Sequence, residues 1–398
     1  MRFFFLASRV KTERALFKKI NPFQRLRPYH HHMDMHLDVL NQLTERVRAA
    51  GTRGSALRIR GGGTKDFYGH TPNGELLDMT AYAGVVSYEP SELVVTARAG
   101  TPLVELEALL AAQGQCLPFE PPHFGPGATV GGMVASGLNG PARACSGAVR
   151  DFVLGVELLN GKGEVLTFGG QVMKNVAGYD VSRLMAGSLG TLAVILEVSL
   201  KVLPVPPAEC TLAFELDEAA ALQQLNRWGG QPLPVNASCW QRGDSGGQLL
   251  VRLRGAVAAV AAAQKTMGGS VLAAEQAALL WHSLREQTAP FFALKPGESL
   301  WRASVADTAA PLGLGPTLIE WGGAQRWIKR PAGDAAMIRA AASAAQGHAT
   351  LFRAATLADD TVPVFTPLSV PLTRIQKNLK TQFDPAGILN PGRMLAAA

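Results

Sequence analysis

Three consecutive glycines, followed by a threonine and a lysine, form the most informative segment of the sequence. The segment Gly61-Gly62-Gly63-Thr64-Lys65 directly follows the alternating residues 56–60, which predict a short β-strand. Glycines leave backbone N–H groups unshielded, so that several amides of such a turn can converge on an anion. Thr64 adds a hydroxyl donor and Lys65 adds a positive charge. This combination predicts a site for a ligand that carries phosphate.

A second glycine-rich segment covers residues 126–140 and reads PGATVGGMVASGLNG. Its glycines again permit close backbone approach, and Thr129 and Ser136 can donate hydrogen bonds. Two such loops could hold one pyrophosphate from two sides. The alternative is that each loop is only a tight turn, but a third cluster at residues 187–191 (GSLGT) favours the phosphate interpretation.

Two common phosphate-binding motifs do not occur in the sequence. There is no GxxxxGK[ST], so a Walker loop is excluded. There is also no GxGxxG opening a helix with an acidic residue about 20 positions later, so a standard Rossmann site is not indicated.

The elements around these loops predict an α+β fold. Residues 93–97 read as a strand, and Thr101 and Pro102 are typical of the start of a helix. Residues 153–168 read as a β-hairpin, and residues 192–202 alternate as a strand does.

Three prolines at positions 204, 206 and 207 mark a boundary, after which strands and helices follow in a different order. We therefore expect a ligand-binding domain at residues 35–205, a smaller α+β domain at 206–345, and a C-terminal segment, 346–398, that returns to the first domain.

Charge and composition exclude several classes of protein. The chain has 398 residues, 47% hydrophobic and 17% charged, which fits a globular protein of two or three domains. The net charge of +7 lies in the first 32 residues, which hold eight Lys or Arg and one acid. Of the 38 basic and 31 acidic residues of the whole chain, 30 of each kind remain outside this segment. The body therefore gives no electrostatic reason to expect nucleic-acid binding. No apolar stretch approaches the roughly 20 residues of a spanning helix.

Residues 1–34 read as a basic tail with three open interpretations. The first is an upstream extension, with Met33 or Met35 as the true first residue. The second is a disordered arm, and the third is a basic segment that binds a membrane surface or targets the chain to an organelle. Three adjacent histidines at positions 30–32 could bind metal, but solvated side chains are the simpler interpretation. The four cysteines are far apart and form no CxxC, which argues against a zinc ribbon or a ferredoxin-type cluster and favours the cytoplasm.

The motifs together resemble the PCMH-type FAD-binding domain of the vanillyl-alcohol oxidase superfamily. The resemblance rests on segments 60–65, 126–132, 175–180 (NVAGYD) and 187–192, and on the ending DPAGILNPGR at 384–393. Within the superfamily, the stretch MKNVAGYDVSRLMAGSLGTL at 173–192 and the short second domain are most similar to the FAD-binding E subunit of bacterial glycolate oxidases. The expected fold is a PCMH-type domain of two α/β subdomains with a smaller α+β cap.

The resemblance also implies which residues contact FAD. The first loop would hold the pyrophosphate through Arg60, Gly61, Gly62, Gly63 and Thr64, with Lys65 either a phosphate partner or solvated. The facing wall would be Pro126, Gly127, Ala128, Thr129 and Gly132. Further contacts are expected from Ala135, Ser136, Gly190 and Ile195, and an approach to the isoalloxazine from Asn390 or Arg393.

The sequence departs from its relatives at three positions near the flavin. Some relatives attach FAD through a histidine in the first loop, where this chain has only glycines, so the resemblance implies non-covalent FAD. Relatives often carry Glu where this chain has Leu189, and Gly where it has Ala193.

Residues for oxidising a 2-hydroxy acid are harder to find. The reaction needs a base for the hydroxyl proton and a cation for the carboxylate. Catalytic relatives carry GHxGDGNxH, of which only the Gly-His start remains here, at His348. The candidates are His348, Arg353 and Arg393, and no metal site is expected. His123 lines a cleft or lies on the surface, and Trp301, Trp321 and Trp327 are expected in the core.

The resemblance implies an FAD-binding subunit of a heteromeric glycolate oxidase. Glycolate would be oxidised to glyoxylate, with a larger FAD-binding subunit and an iron–sulfur subunit as partners and quinone as the indirect acceptor. The chain's own substrate site is expected to be incomplete, and the location to be cytoplasmic or peripheral on the inner membrane through the complex. Two alternatives stay open: a stand-alone FAD-linked D-2-hydroxy-acid dehydrogenase, and a structural subunit that has lost FAD.

Overall fold

The computed structural model describes residues 27–170, 180–243, 246–355 and 362–394. Helix α1 (Arg27–Arg53) opens the fold and starts eight residues before Met35, where we expected order to begin. Pro28 lies in its first turn, where the missing N–H removes no helical hydrogen bond. The helix ends after Arg53, where Gly54 takes a positive φ of 64°. Residues up to Gln42 form a unit of their own, and everything below concerns the unit that begins at Leu43.

The first glycine loop follows strand β1 (Leu57–Arg60), which pairs in parallel with β2 (Glu75–Asp78). Beside this pair lies a five-stranded antiparallel sheet with the order β3-β4-β8-β6-β7. Its strands are β3 (Val85–Glu89), β4 (Val94–Arg98), β6 (Val153–Leu159), β7 (Val165–Gly169) and β8 (Val194–Lys201). The short strands β5 (Gln115–Cys116) and β9 (Leu203–Pro204) form a separate pair.

Five helices accompany these strands. They are α2 (Leu103–Ala111), α3 (Val130–Ser136), α4 (Arg143–Ser146), α5 (Val149–Phe152) and α6 (Val181–Leu184). The prediction that Thr101 caps α2 is wrong, because its hydroxyl bonds the carbonyl and the amide of Gly84 at 3.1 and 2.9 Å. Helix α3 has a side-chain cap instead, since the Thr129 hydroxyl accepts from the amide of Gly132.

The second sheet has eight strands in the order β13-β10-β12-β11-β15-β16-β14-β17, all paired antiparallel. The strands are β10 (Ala208–Glu215), β11 (Val235–Gly243), β12 (Gly246–Gly255), β13 (Ser270–Val271), β14 (Ser299–Ser304), β15 (Thr317–Glu320), β16 (Gln325–Arg330) and β17 (His348–Arg353). Its helices are α7 (Glu218–Gly229), α8 (Val257–Met267), α9 (Ala274–Arg285) and α10 (Ala335–Ala344). Helix α11 (Val370–Phe383) follows the sheet.

Strand β17 bears on the expected domain limits. We placed residues 346–398 with the first domain, but β17 pairs with β14 at the edge of the second sheet. The segment after α11 does return to the first domain, where Leu389 forms a parallel bridge with Leu57. We therefore propose that the cap ends after Arg353 and not after Ala345.

Aromatic side chains join the second sheet to the first domain. Tyr68, Leu138 and Leu189 of the first domain share one buried cluster with residues of the sheet, including Trp327 and Phe352. The expectation of a core position for Trp301, Trp321 and Trp327 agrees with exposures of 0%, 8% and 4%. None of the helices described here has both the length and the hydrophobicity that crossing a membrane requires.

Candidate functional site

A cavity lies where the glycine loops meet, and we call it the cradle. Twelve of the fifteen residues expected to contact the cofactor line it. They are Arg60, Gly61, Gly62, Gly63, Thr64, Lys65, Thr129, Gly132, Ala135, Ser136, Gly190 and Ile195. Asn390 and Arg393 line it as well.

The first loop presents unused hydrogen-bond donors to the cradle. The backbone amides of residues 61–64 donate to no acceptor in the part of the chain that the structure describes. Gly63 holds the turn with a φ of 73°, which side-chain-bearing residues rarely adopt. Amides left without partners beside a cavity form an anion site, because they gain a hydrogen bond only when an acceptor binds.

The second loop supports the first from behind. Gly62 packs directly against the backbone of Gly127, and a side chain on Gly61 would overlap the hydroxyl of Thr129. Pro126, Gly127 and Ala128 do not line the cradle, so the facing wall is made by Thr129 and the residues after it. Of these three residues, Gly127 fixes the position of the first loop through its contact with Gly62.

The C-terminal segment closes one side of the cradle. The Asn390 side chain accepts from the amide of Ile59 at 2.8 Å and donates to the carbonyl of Leu189 at 2.7 Å. Arg393 donates to the carbonyls of Lys65 and Tyr68, both at 3.2 Å. Both side chains are buried, and burial lowers the pKa of Arg393. The segment therefore ties the strand before the first loop to the third glycine cluster.

The buried side chain of Asp384 holds the C-terminal segment in its conformation. Its carboxylate accepts from the amides of Ile388 and Leu389 at 3.1 and 2.7 Å, and it pairs with Lys380 at 2.5 Å. Lys380 also donates to the carbonyls of Thr191 and Leu389. The sequence ending DPAGILNPGR thus places Asn390 and Arg393 through one buried carboxylate.

Lys65 is the cation of the first loop. It donates to the Thr64 hydroxyl at 3.3 Å and to the carbonyl of His123 at 3.1 Å. Burial lowers its pKa from 10.5 to about 8, and the charge of Glu286 opposes that shift. An anion in the cradle would raise this pKa again.

Arg353 and His348 lie outside the cradle, on strand β17. The guanidinium of Arg353 lies 4.5 Å from the ring centre of Phe67 and 5.2 Å from that of Phe124, and burial lowers its pKa to about 10. It forms no ion pair with any described residue. His348 is exposed, and the described residues contain no cluster of three potential metal ligands. The structure does not bring these candidates together.

His123 belongs to a network of ion pairs with Glu107, Arg285 and Glu286. Its ring lies 3.0 Å from the Glu107 carboxylate, and its amide donates to Glu286. Arg285 contacts both acids. His123 is therefore held by ion pairs and does not line the cradle. The histidines 30–32 and the segment 175–179 lie outside the described side chains.

Sequence reasoning missed four lining residues: Ile59, Asp66, Met79 and Ala99. Ile59 and Asp66 flank the first loop, so the loop motif could have indicated them. Met79 and Ala99 carry no signal of their own. They reach the cradle because β2 pairs with β1 and because the Ala99 carbonyl accepts from Gly131 at 2.8 Å.

Comparisons with known proteins agree with this geometry. The family model "FAD binding domain" matches residues 38–169. Over 360 residues the chain is 47% identical to the glycolate oxidase subunit GlcE of Escherichia coli (strain K12), which covers 90% of this chain and 98% of that protein. It is 33% identical over 148 residues to the mitochondrial cytochrome-type D-lactate dehydrogenase of Arabidopsis thaliana, covering 36% of this chain and 26% of that protein.

Solved structures show the same fold. Alkyldihydroxyacetonephosphate synthase matches with a TM-score of 0.60 at 16% identity, covering 88% of this chain and 75% of that one. The fold and the family model define the class, that of proteins with a PCMH-type FAD-binding domain. At the identity and coverage found with GlcE, the chain belongs to the family of glycolate oxidase E subunits. The resemblance seen in the motifs is thereby confirmed.

Proposed function

We propose that FAD binds non-covalently in the cradle, with its pyrophosphate on the amides of residues 61–64. The observation that carries this proposal is the set of four unpartnered amides beside the cradle. Among the residues that the structure describes, no His or Cys lines the cradle. Bound FAD supplies a hydride or electron acceptor.

The residues of the chain have distinct parts in this binding. The loop amides and Thr64 donate hydrogen bonds to phosphate oxygens, and Lys65 supplies charge from a partly buried position. Thr129, Gly132, Ala135 and Ser136 form the opposite wall, with Gly190 and Ile195 beside it. Asn390 and Arg393 keep the C-terminal segment against the first loop and exclude water from that side.

We further propose that the chain acts within a glycolate oxidase, in which glycolate becomes glyoxylate. Its partners are a larger FAD-binding subunit and an iron–sulfur subunit, which passes electrons toward quinone on the cytoplasmic side of the membrane. Support comes from the similarity to GlcE over nearly the whole of both chains.

The substrate site in this chain is proposed to be incomplete for catalysis. In support, His348 is exposed and does not line the cradle, and Arg353 contacts aromatic rings. The alternative of a stand-alone D-2-hydroxy-acid dehydrogenase predicts that glycolate or D-lactate bleaches the flavin of the isolated chain.

Co-purification tests the proposal. A tagged chain should carry FAD, recover a larger flavoprotein and an iron-containing protein, and show no bleaching by glycolate when isolated. In the assembled complex, Gly62→Ala should lower glycolate oxidation, whereas Gly229→Ala, at a helix end with open space around it, should not. Equal activity of both variants would favour a structural subunit without FAD.

A further inference from the structure

Glu286 belongs to the part of the chain that packs on the second sheet. It directly follows helix α9, which joins the buried cluster of that sheet through Ala277, Trp281 and Leu284. The Glu286 side chain is 11% exposed and does not line the cradle. A contact between Glu286 and the loops of the first domain is therefore a link from the second sheet to the cofactor site.

The carboxylate of Glu286 binds two consecutive backbone amides of the first domain. One of its oxygens accepts from the amide of His123 at 3.1 Å and from that of Phe124 at 2.8 Å. Phe124 has a positive φ of 55°, which side-chain-bearing residues rarely adopt, so its surroundings must hold it there. Arg285 donates to the other oxygen at 2.8 Å and orients the carboxylate. Glu286 thus fixes the backbone at residues 123–124.

The same short segment holds the ammonium group of Lys65. Lys65 donates to the carbonyl oxygen of His123 at 3.1 Å, and its Nζ lies 5.6 Å from the ring centre of Phe124. Lys65 lines the cradle, whereas His123 and Phe124 do not. The contacts therefore lead from Glu286, through the backbone of the segment, to a cation in the cradle lining.

Glu286 also acts on Lys65 through its charge. Burial lowers the pKa of Lys65 to about 8, and the negative charge of Glu286 opposes that shift. Other charged or titratable groups surround Lys65 and the segment as well. They are the ion pair of Asp66 with Arg60, the carboxylate of Glu107, the ring of His123, and the guanidinium groups of Arg285, Arg353 and Arg393. Substitution of Glu286 leaves all of these groups in the chain.

We propose that Glu286 is a positioning residue for the flavin site: it fixes the 123–124 segment through two backbone amides, and the segment holds the Lys65 ammonium in the lining of the cradle. Glu286 thereby contributes to the affinity for FAD without lining the cradle. The effect on FAD rests on the proposed function, whereas the effect on Lys65 concerns the chain alone.

The titration of Lys65 in the full-length chain without FAD tests this role. Reaction with acetic anhydride at several pH values, quantified for Lys65 by mass spectrometry, gives the pH at which this amine loses its proton. Glu286→Gln keeps an oxygen for both amides but removes the charge, so the midpoint should fall below that of the wild type, which is expected near pH 8. Glu286→Ala also removes the acceptor of the two amides, so neutral Lys65 should react faster than in the wild type.

The affinity of the same proteins for FAD, followed by quenching of its fluorescence, is the second measurement. Glu286→Ala should weaken FAD binding about tenfold at pH 8, or about 1.4 kcal/mol. In Glu286→Gln the affinity should begin to fall at a lower pH than in the wild type, because Lys65 loses its charge earlier. In a wild type that binds no FAD, the proposed function fails, and the titration of Lys65 alone decides whether Glu286 positions this side chain.

Glu275→Gln is the matched control, because it removes the same charge from an exposed position on helix α9. It should change neither the midpoint of Lys65 nor the affinity for FAD. Thermal unfolding shows which variants are folded, and Glu286→Gln alone decides the outcome if Glu286→Ala does not fold. Equal Lys65 midpoints in the wild type and folded Glu286→Gln would overturn the proposal, as would wild-type FAD affinity in a folded Glu286→Ala.

Discussion

Gly62 and Gly127 touch backbone to backbone, so that a Cβ on Gly62 would overlap the carbonyl oxygen of Gly127. The two residues belong to loops about 65 positions apart in the chain, and their contact sets the position of the unpartnered amides of the first loop. The geometry of the phosphate site therefore depends on the absence of one side chain.

Gly62→Ala should weaken FAD binding by at least about tenfold, or about 1.4 kcal/mol. The added methyl group would push the first loop away from the second and misplace its amides. Quenching of FAD fluorescence during titration of the apo chain measures the affinity. Gly229→Ala is the matched control, since nothing lies within 4 Å of its new Cβ. Unchanged affinity in folded Gly62→Ala would show that the loop contact does not control the site.

Lys65 should make FAD binding depend on pH. Because burial lowers its pKa to about 8, Lys65 in the apo chain is charged below that pH and neutral above it. FAD is anionic, so its affinity should fall as the pH rises from 7 to 9, by up to about tenfold per pH unit above the apo pKa. Lys65→Met should bind FAD more weakly at pH 7 and lose this dependence, whereas Lys65→Arg should bind tightly at both pH values. An equally steep fall in Lys65→Met would assign the titration to another group.

The loops and the strands before them could be predicted from sequence because their signals are local. Residues 61–65 could be recognised from their glycines and from the strand pattern that precedes them. The observed strands β1 and β8 match the predicted segments closely. Asn390 and Arg393 could be named only through a family resemblance, because their partners Leu189 and Lys65 are far away in the chain. Residue types and their spacing in the sequence give no information about contacts between residues that are so far apart in the chain.

Asn390 should contribute strongly to stability. Asn390→Ala leaves the amide of Ile59 and the carbonyl of Leu189 without a partner, at a cost of about 1–3 kcal/mol for each group that remains buried. Urea unfolding of the apo chain measures the loss. Asn226→Ala, which removes a side-chain bond to the Leu222 carbonyl on helix α7, should have a much smaller effect. Similar losses in both variants would mean that the C-terminal segment is not held by Asn390.

Ionisation of Glu320 should lower the free energy of unfolding as the pH rises. Its pKa is raised from 4.5 to about 7 in the folded chain, so the folded state binds the proton more tightly than the unfolded state does. Its contribution to stability is therefore full below about pH 4.5 and is lost toward pH 7, by up to about 3 kcal/mol. Glu320→Gln keeps an acceptor for Trp327 and should not lose this increment. Urea unfolding at pH 5.5 and pH 8 compares the two proteins, and parallel losses in both would contradict the assignment.

The placement of Arg302, Glu320 and Gln325 side by side could not be predicted from the sequence. Arg302, Glu320 and Gln325 come from three strands, and strand β16, which carries Gln325, was not predicted. The three residues come together only because these strands are neighbours in the sheet. Sequence patterns identify a loop that binds a ligand. Residues that meet across a sheet can be identified only when the pairing of its strands is known.

The most direct test of the account is the flavin content of the purified full-length chain. The unpartnered amides of the cradle predict one FAD for each chain, released intact when the protein is denatured with acid, with the mass of the polypeptide unchanged. A chain that is colourless after purification and does not take up added FAD would contradict the central claim.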